Sequence, residues 1–271
     1  MNMDDIADRG LVLLGGGKMG LAMLSGWLAG GLPASAVRVI DPAPSDELRA
    51  TGVTVGETAP EDPAVLIIAV KPQMMNEALP AVSSLGGGKT LVISVAAGTP
   101  LRLYERIFGA ETPIVRAMPN TPAAIGQGIT AMIGNDRCSL DDLSRAEALL
   151  QAVGGVVRLE SEDQMDAVTG VSGSGPAYVF HMIEALTAAG MAQGLPEVLA
   201  AELAQVTVAG AGALALASGK DVSQLRVDVT SPGGTTQAGL DVLMDQTDGL
   251  PPLMQRTVAA AADRSRELSH G

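Results

Sequence analysis

From Gly10 to Leu159 the chain alternates short, almost wholly apolar runs with amphipathic stretches. The runs are Gly10–Gly15, Val37–Ile40, Val65–Val70, Thr90–Val95, Pro113–Ala117, Gly128–Gly134 and Gly155–Leu159. Their length and continuous apolarity suit strands covered on both faces, as in a parallel sheet. Helical spacing fills the gaps. One helix follows the glycines at 15–20 and runs to about Ala29. A second runs from Gln73 to about Ser84, opened by Pro72 at the first helical position. A third begins at Ser139-Leu-Asp-Asp142, a capping box, and runs to about Ala152. Such alternation predicts an α/β fold with a doubly wound sheet.

The texture changes at Glu160. Ser161-Glu162-Asp163-Gln164 is a second capping-box pattern, and nearly everything beyond it has helical spacing. Helices are expected over 162–169, 176–189, 196–218, 235–245 and 252–268. We therefore expect a doubly wound domain over residues 10–159 and a helical domain over residues 160–271. Residues 1–9 are acidic, lack an apolar run and read as a disordered extension, not as a signal peptide; a cytoplasmic protein is expected. The Ala/Gly-rich helix 196–218 is too apolar to stand in water alone, so a second subunit is its natural cover. Its uncharged core, Leu203 to Gly219, is short and carries Gln205, Thr207 and Ser218, which favours a buried helix over a membrane span.

Composition narrows the chemistry. Aromatic residues make up only 2% of the 271 positions, so the core must be aliphatic and no base-stacking platform is available. A net charge of −13 repels phosphate backbones and argues against nucleic acid. Cys138 is the single cysteine, which excludes an intrachain disulfide and a cysteine-cluster metal site; no metal is expected. His181 falls inside a helix and reads as a core or interface residue, and His270 lies in the tail. No histidine is placed for catalysis.

Three groups of residues carry the functional signal. Gly15-Gly-Gly17-Lys18-Met19-Gly20 is a G-x-G-x-x-G motif with a strand before it and a helix after it, the setting that dinucleotide binding requires. Gly15 permits the tight turn, Gly17 lets a pyrophosphate reach the backbone, and Gly20 allows close packing of helix on strand. Asp41, at the end of the second strand, is placed to bind the adenosine ribose hydroxyls and to repel a 2′-phosphate, which leans toward NADH; Ser45 offers a hydroxyl that would hold such a phosphate. The next strands end in Ala69-Val70-Lys71-Pro72, Ala96-Ala97-Gly98 and Met118-Pro-Asn120-Thr-Pro122, small or polar residues at the sheet edge where ligands bind. Finally, Val227–Ala238 contains Pro232-Gly233-Gly234 flanked by the hydroxyls of Thr230, Ser231, Thr235 and Thr236. Its closing threonines can cap a following helix, whose N-terminus attracts an anion. Ser172-Gly-Ser-Gly-Pro176 is a second break of similar chemistry.

Together these motifs resemble the pyrroline-5-carboxylate reductases. The resemblance rests on Asp166–Tyr178 and Val229–Thr236, supported by Ala69–Pro72, Ala96–Gly98 and Met118–Pro122 in the same order, and it extends from about Leu11 to Leu268. It implies reduction of Δ1-pyrroline-5-carboxylate to L-proline with NADPH or NADH. It also implies a Rossmann domain, a helical domain interlocked with a partner subunit in a homodimer or larger homo-oligomer, and no membrane. By similarity, Lys71, Ala96, Ala97 and Asn120 line the cofactor, and Glu162, Ser231, Gly233, Gly234, Thr235 and Thr236 line the substrate pocket. Asp228 stands where relatives often carry Asn, and Asp41 where relatives preferring NADPH tend to carry Ser or Thr. A cyclic imine takes its proton from solvent and accepts hydride readily, so orientation is the main demand on the protein. The Gly233–Thr235 amides are expected to hold the carboxylate and Thr236 to act on the ring nitrogen. A β-hydroxyacid dehydrogenase would need a lysine in G-x-x-G-x-G-x-x-x-K; after Gly170, Gly173 and Gly175 that position is Val179. A related imine reductase would share the two-domain plan, as would a non-catalytic nucleotide-binding protein on a reductase fold.

Overall fold

The computed structural model describes residues 4–270. It divides into two compact units: the residues up to Gly173 together with those from Ala261 onward, and Ser174–Ala260. Residues 160–173 thus pack with the sheet, and the tail returns to the first unit.

The first unit is built on an eight-stranded sheet. Its strands are β1 (Leu11–Leu14), β2 (Val37–Ile40), β3 (Thr54–Gly56), β4 (Val65–Ile68), β5 (Leu91–Ser94), β6 (Ile114–Met118), β7 (Gly128–Gly134) and β8 (Gly154–Arg158), in the order β3-β2-β1-β4-β5-β6-β7-β8. All neighbours are parallel except β6 and β7, which run antiparallel. This is the Rossmann arrangement with added strands. Successive side chains leave opposite faces, and the two cores sort accordingly. Leu11, Leu13, Val37, Val39, Val65, Ile67 and Ile93 join one core; Val12, Leu14, Ile40, Leu66, Ile68 and Val92 join the other.

Helices α1 (Asp4–Arg9), α2 (Lys18–Ala29), α3 (Asp46–Ala50), α4 (Met75–Ala78), α5 (Leu101–Phe108) and α6 (Leu140–Leu150) accompany the sheet. Met23, Leu24 and Trp27 of α2 cover the first core with Ala146, Leu149 and Leu150 of α6, and the buried Trp27 indole donates to Leu149 O at 2.8 Å. Leu101, Tyr104 and Phe108 of α5 cover the second. Ser139 and Asp142 form the expected reciprocal capping box at the start of α6.

The expected disordered extension is ordered from Asp4 onward. Ile6 is buried in the first core, and Arg9 ties α1 to the sheet by donating to Pro63 O and Lys89 O and pairing with Asp62. Residues 1–3 lie outside the described residues. The expected helix 73–84 is also interrupted: α4 is a single turn between 3₁₀ segments Pro72–Met74 and Leu79–Ala81, because Pro80 lacks the N–H that would continue it.

After β8 come α7 (Gln164–Val168) and a π turn, Thr169–Gly173. The pattern at Ser161–Gln164 is met in part: the Gln164 side chain accepts from the Glu160 and Ser161 amides, but Asp163 precedes the helix and contributes no side-chain cap.

The second unit holds α8 (Gly175–Ala192), α9 (Glu197–Ala217), α10 (Val222–Asp228), α11 (Thr235–Leu243) and the first part of α12 (Leu250–His270). α8 and α9 pack closely where Gly190 meets Ala200: a Cβ on Gly190 would lie 3.2 Å from the Ala200 Cβ. Within the chain α9 buries only Ala200 and Ala204, whereas Val206 is 66% and Leu216 90% exposed. His181 is not a core residue of this chain: its imidazole is exposed and meets Glu184 at 3.0 Å.

Candidate functional site

In the first unit, the strand ends create a candidate dinucleotide site. Register aligns Gly56 with Ile40, Ile40 with Leu14, Leu14 with Ile68, and Ile68 with Ser94. The residues just beyond these, Glu57, Asp41, Gly15, Ala69 and Val95, therefore form one row along the sheet edge. A groove of about 360 Å³ opens there, lined by Gly15, Gly17, Asp41, Ala69, Val70, Lys71, Glu57, Met74, Glu77 and neighbours.

The glycine loop fits a dinucleotide. Gly15 has φ +97°, and a Cβ there would meet Val70 at 2.8 Å. A Cβ on Gly20 would lie 2.2 Å from Gly15 O, so α2 can approach the strand end only with glycine there. A Cβ on Gly17, in contrast, would meet nothing of the protein within 4 Å: its face is open to a ligand. Lys18 and Met19 open α2, with Lys18 exposed, and α2 has Gly17 as its N-cap with no side-chain cap. A pyrophosphate would find those amides uncovered. Asp41 completes the cradle. Its Oδ2 accepts from Gly16 N–H at 2.7 Å and its Oδ1 from Ala43 N–H at 2.8 Å.

Of the expected cofactor residues, Gly15, Gly17, Asp41, Ala69, Val70 and Lys71 meet at this groove; Lys18, Met19, Gly20, Pro72, Ala96, Ala97 and Asn120 do not line it. Ala96 is buried, with its amide on the Ser94 hydroxyl, while Ala97 is exposed. The Asn120 side-chain carbonyl accepts from Ile129 N–H at 3.0 Å, tying the loop after β6 to β7. Sequence reading missed Glu57 and Glu77. Glu57 follows β3, Thr54–Gly56, a strand too short to leave a signal in the sequence.

Beneath Ala96–Gly98 lies a buried polar cluster. The Ser94 and Tyr104 hydroxyls share a hydrogen bond at 2.5 Å, and burial pushes the Tyr104 phenol up. Glu162 Oε1 accepts from Arg116 Nη1 at 2.6 Å and from the Leu101 amide at the start of α5 at 2.9 Å. Arg116 is almost wholly buried, so Glu162 is its counter-charge as well as a cap for α5. The tail closes over this region: Ser265, itself buried, donates to Asp166 Oδ1 at 2.6 Å, and Leu268 packs near Gly98.

In the second unit, Ser231–Gly234 forms the turn that opens α11. Gly234 N–H donates to Ser231 O at 3.0 Å, and Gly233 has φ +69°, a left-handed conformation suited to glycine. The expected threonine cap is absent. Gly234 is the N-cap and offers no side chain, and Thr235 and Thr236 already lie in the first turn. The leading amides of α11 thus lack intrahelical acceptors. The Thr235 and Thr236 side chains are exposed and make no hydrogen bond among the described residues, whereas Thr230 Oγ1 donates to Arg226 O. Asp228 is held by Lys220 and Gln224, each at 2.8 Å, and the Lys220 hydrogen bond leads in keeping its carboxyl below the ordinary value.

Comparison with known proteins finds matches over both parts of the chain. Residues 162–268 match the family model "Pyrroline-5-carboxylate reductase dimerisation", and residues 10–98 match "NADP oxidoreductase coenzyme F420-dependent". A pyrroline-5-carboxylate reductase of Pseudomonas aeruginosa is 37% identical over 265 residues, covering 96% of both chains. One from Synechocystis is 47% identical over 206 residues, covering 75% of this chain and 74% of its own. Among solved structures, a pyrroline-5-carboxylate reductase from Coxiella burnetii superposes with a TM-score of 0.90 at 34% identity, over 96% of this chain and 98% of its own. The Plasmodium falciparum enzyme with NADP bound gives 0.80 at 27% identity, over 97% and 99%. With near full-length similarity above 30% identity and both halves of the fold in place, the chain belongs to the pyrroline-5-carboxylate reductase family.

Proposed function

We propose that the chain reduces Δ1-pyrroline-5-carboxylate to L-proline with NADPH or NADH, as the last step of proline synthesis, and that it works in the cytoplasm as a homodimer or larger homo-oligomer. The observation that carries the substrate reading is the uncapped start of α11, with Gly233–Gly234 and the exposed Thr235 and Thr236. Amides at a helix N-terminus suit a carboxylate. Ser231 lies beside them, and the Thr236 hydroxyl is our candidate for the ring nitrogen.

Bound NAD(P)H supplies the hydride. Gly15, Gly17 and Gly20 shape the cradle for the pyrophosphate, with Lys18 and Met19 beginning the helix behind it and Asp41 at the adenosine end. Ala69, Val70 and Lys71 continue the cofactor surface in the groove, and the part given to Pro72, Ala96, Ala97 and Asn120 rests on the family resemblance. Glu162 acts through Arg116 and the Leu101 amide, fixing the start of α5. The imine needs no protein acid stronger than water near neutral pH, so the chain's task is orientation and exclusion of solvent.

α9 is long and apolar enough to cross a membrane by length and composition. A second copy is the better cover, because the helix lies within the segment that matches a dimerisation model and carries Gln205 and Thr207. Steady-state kinetics test the site. Thr236→Ala should lower kcat by about tenfold, corresponding to loss of one hydrogen bond worth about 1.4 kcal/mol. Unchanged kcat and KM would remove Thr236 from the reaction, and absence of any turnover by the unaltered protein would overturn the function.

A further inference from the structure

We infer that this chain selects NADH over NADPH, and that the selection is made by a pair of carboxylates, Asp41 and Glu57, backed by Glu77. The inference rests on the dinucleotide reading of the groove. β2 and β3 are adjacent and parallel with Ile40 opposite Gly56, which places Asp41 and Glu57 side by side at neighbouring strand ends. Both line the groove, as does Glu77 of α4. Lys71 is the one cation among the described lining residues, and the Arg38 guanidinium lies beside Gly56 just outside them, so carboxylates outnumber cations where a 2′-phosphate would sit at the strand ends.

The geometry of Asp41 makes this a built arrangement. Each of its oxygens accepts one backbone N–H, from Gly16 and Ala43, which fixes the orientation of the carboxylate. Each oxygen keeps a further lone pair, so Asp41 can take a ribose hydroxyl while it braces the glycine loop. The Ser45 hydroxyl accepts from Leu48 N–H at 3.1 Å as the cap of α3, which orients it at the helix start and leaves a single O–H to set against the carboxylates. A ribose with free 2′- and 3′-hydroxyls meets acceptors here; one bearing a doubly charged phosphate meets like charge.

Titration calorimetry with the full-length protein tests this without turnover. NADH should bind at least about tenfold more tightly than NADPH, since like charges a few ångströms apart near a surface repel by more than that factor corresponds to. Glu57→Gln should tighten NADPH severalfold and leave NADH nearly unchanged, and Asp41→Ser should narrow the gap further. Because Asp41→Ser also loosens the Gly16 amide, Glu57→Gln is the decisive variant. Equal or tighter binding of NADPH by the unaltered protein, or a Glu57→Gln effect equal on both cofactors, would overturn the selection. Binding of neither would bring down the dinucleotide reading itself and this inference with it.

Discussion

Cys138 lies between β7 and α6, its thiol directed at Ile114 O at 3.3 Å. Burial, with the nearby Asp142 charge adding to it, pushes the thiol from an ordinary value of 9.0 up to about 11. The neutral form is favoured on folding, so this contribution to stability is complete below pH 9 and is lost as pH rises through about 11. The native thiol should therefore resist alkylation at pH 8 and react fully in denaturant; equal rates in both states would show that the site is open. Other residues divide by how local their causes are. Gly15, Gly17, Gly20 and Asp41 were legible because strand, turn and helix N-terminus are neighbours in sequence. Glu162 was legible only as a family position, since its partners Arg116 and Leu101 come from distant elements. The reading of Thr235 and Thr236 as caps failed by a residue: Gly234 takes the boundary and leaves both hydroxyls outward.

Among elements, the buried strands were the clearest, because continuous apolar runs admit few other conformations. β3 was missed: Thr54–Gly56 is too short and too exposed to leave a pattern, and its pairing with β2 is what makes it a strand. α10 was missed for a related reason, since none of its residues is buried to impose a periodicity. The end of α12 behaves in a way that no local pattern reports. Ala262 and Ser265 are buried in the first unit, and Ser265 satisfies Asp166 within the motif that carries the family resemblance. Ser265→Ala should cost about 1–2 kcal/mol by leaving that carboxylate without its donor. Urea unfolding would measure it, and a midpoint shift smaller than the error of the fit would show the contact to be incidental.

At the scale of the molecule, α8 and α9 leave a broad apolar surface exposed. Phe180, Leu203, Val206, Leu214 and Leu216 are all at least 49% exposed. With a second copy as the cover, Val206→Glu places a charge in that interface and should dissociate or unfold the assembly, at a cost of at least about 2 kcal/mol. Light scattering on a sizing column without detergent reads the outcome; an unaltered mass and stability would remove α9 from the interface. The sequence by itself determined the strand–helix alternation, the dinucleotide loop, the change to all-helical texture after Leu159 and the two hydroxyl-rich breaks, because each arises from residues within a few positions of one another. Tertiary structure alone decided what depends on strangers in sequence meeting. It placed Glu57 beside Asp41 through the β2–β3 register and set Arg116 against Glu162. It also returned the tail to Asp166 and packed residues 160–173 with the sheet. Local patterns record which backbone conformation is cheapest; strand register and long-range packing select among many pairings of equal local cost, and only the assembled core distinguishes them.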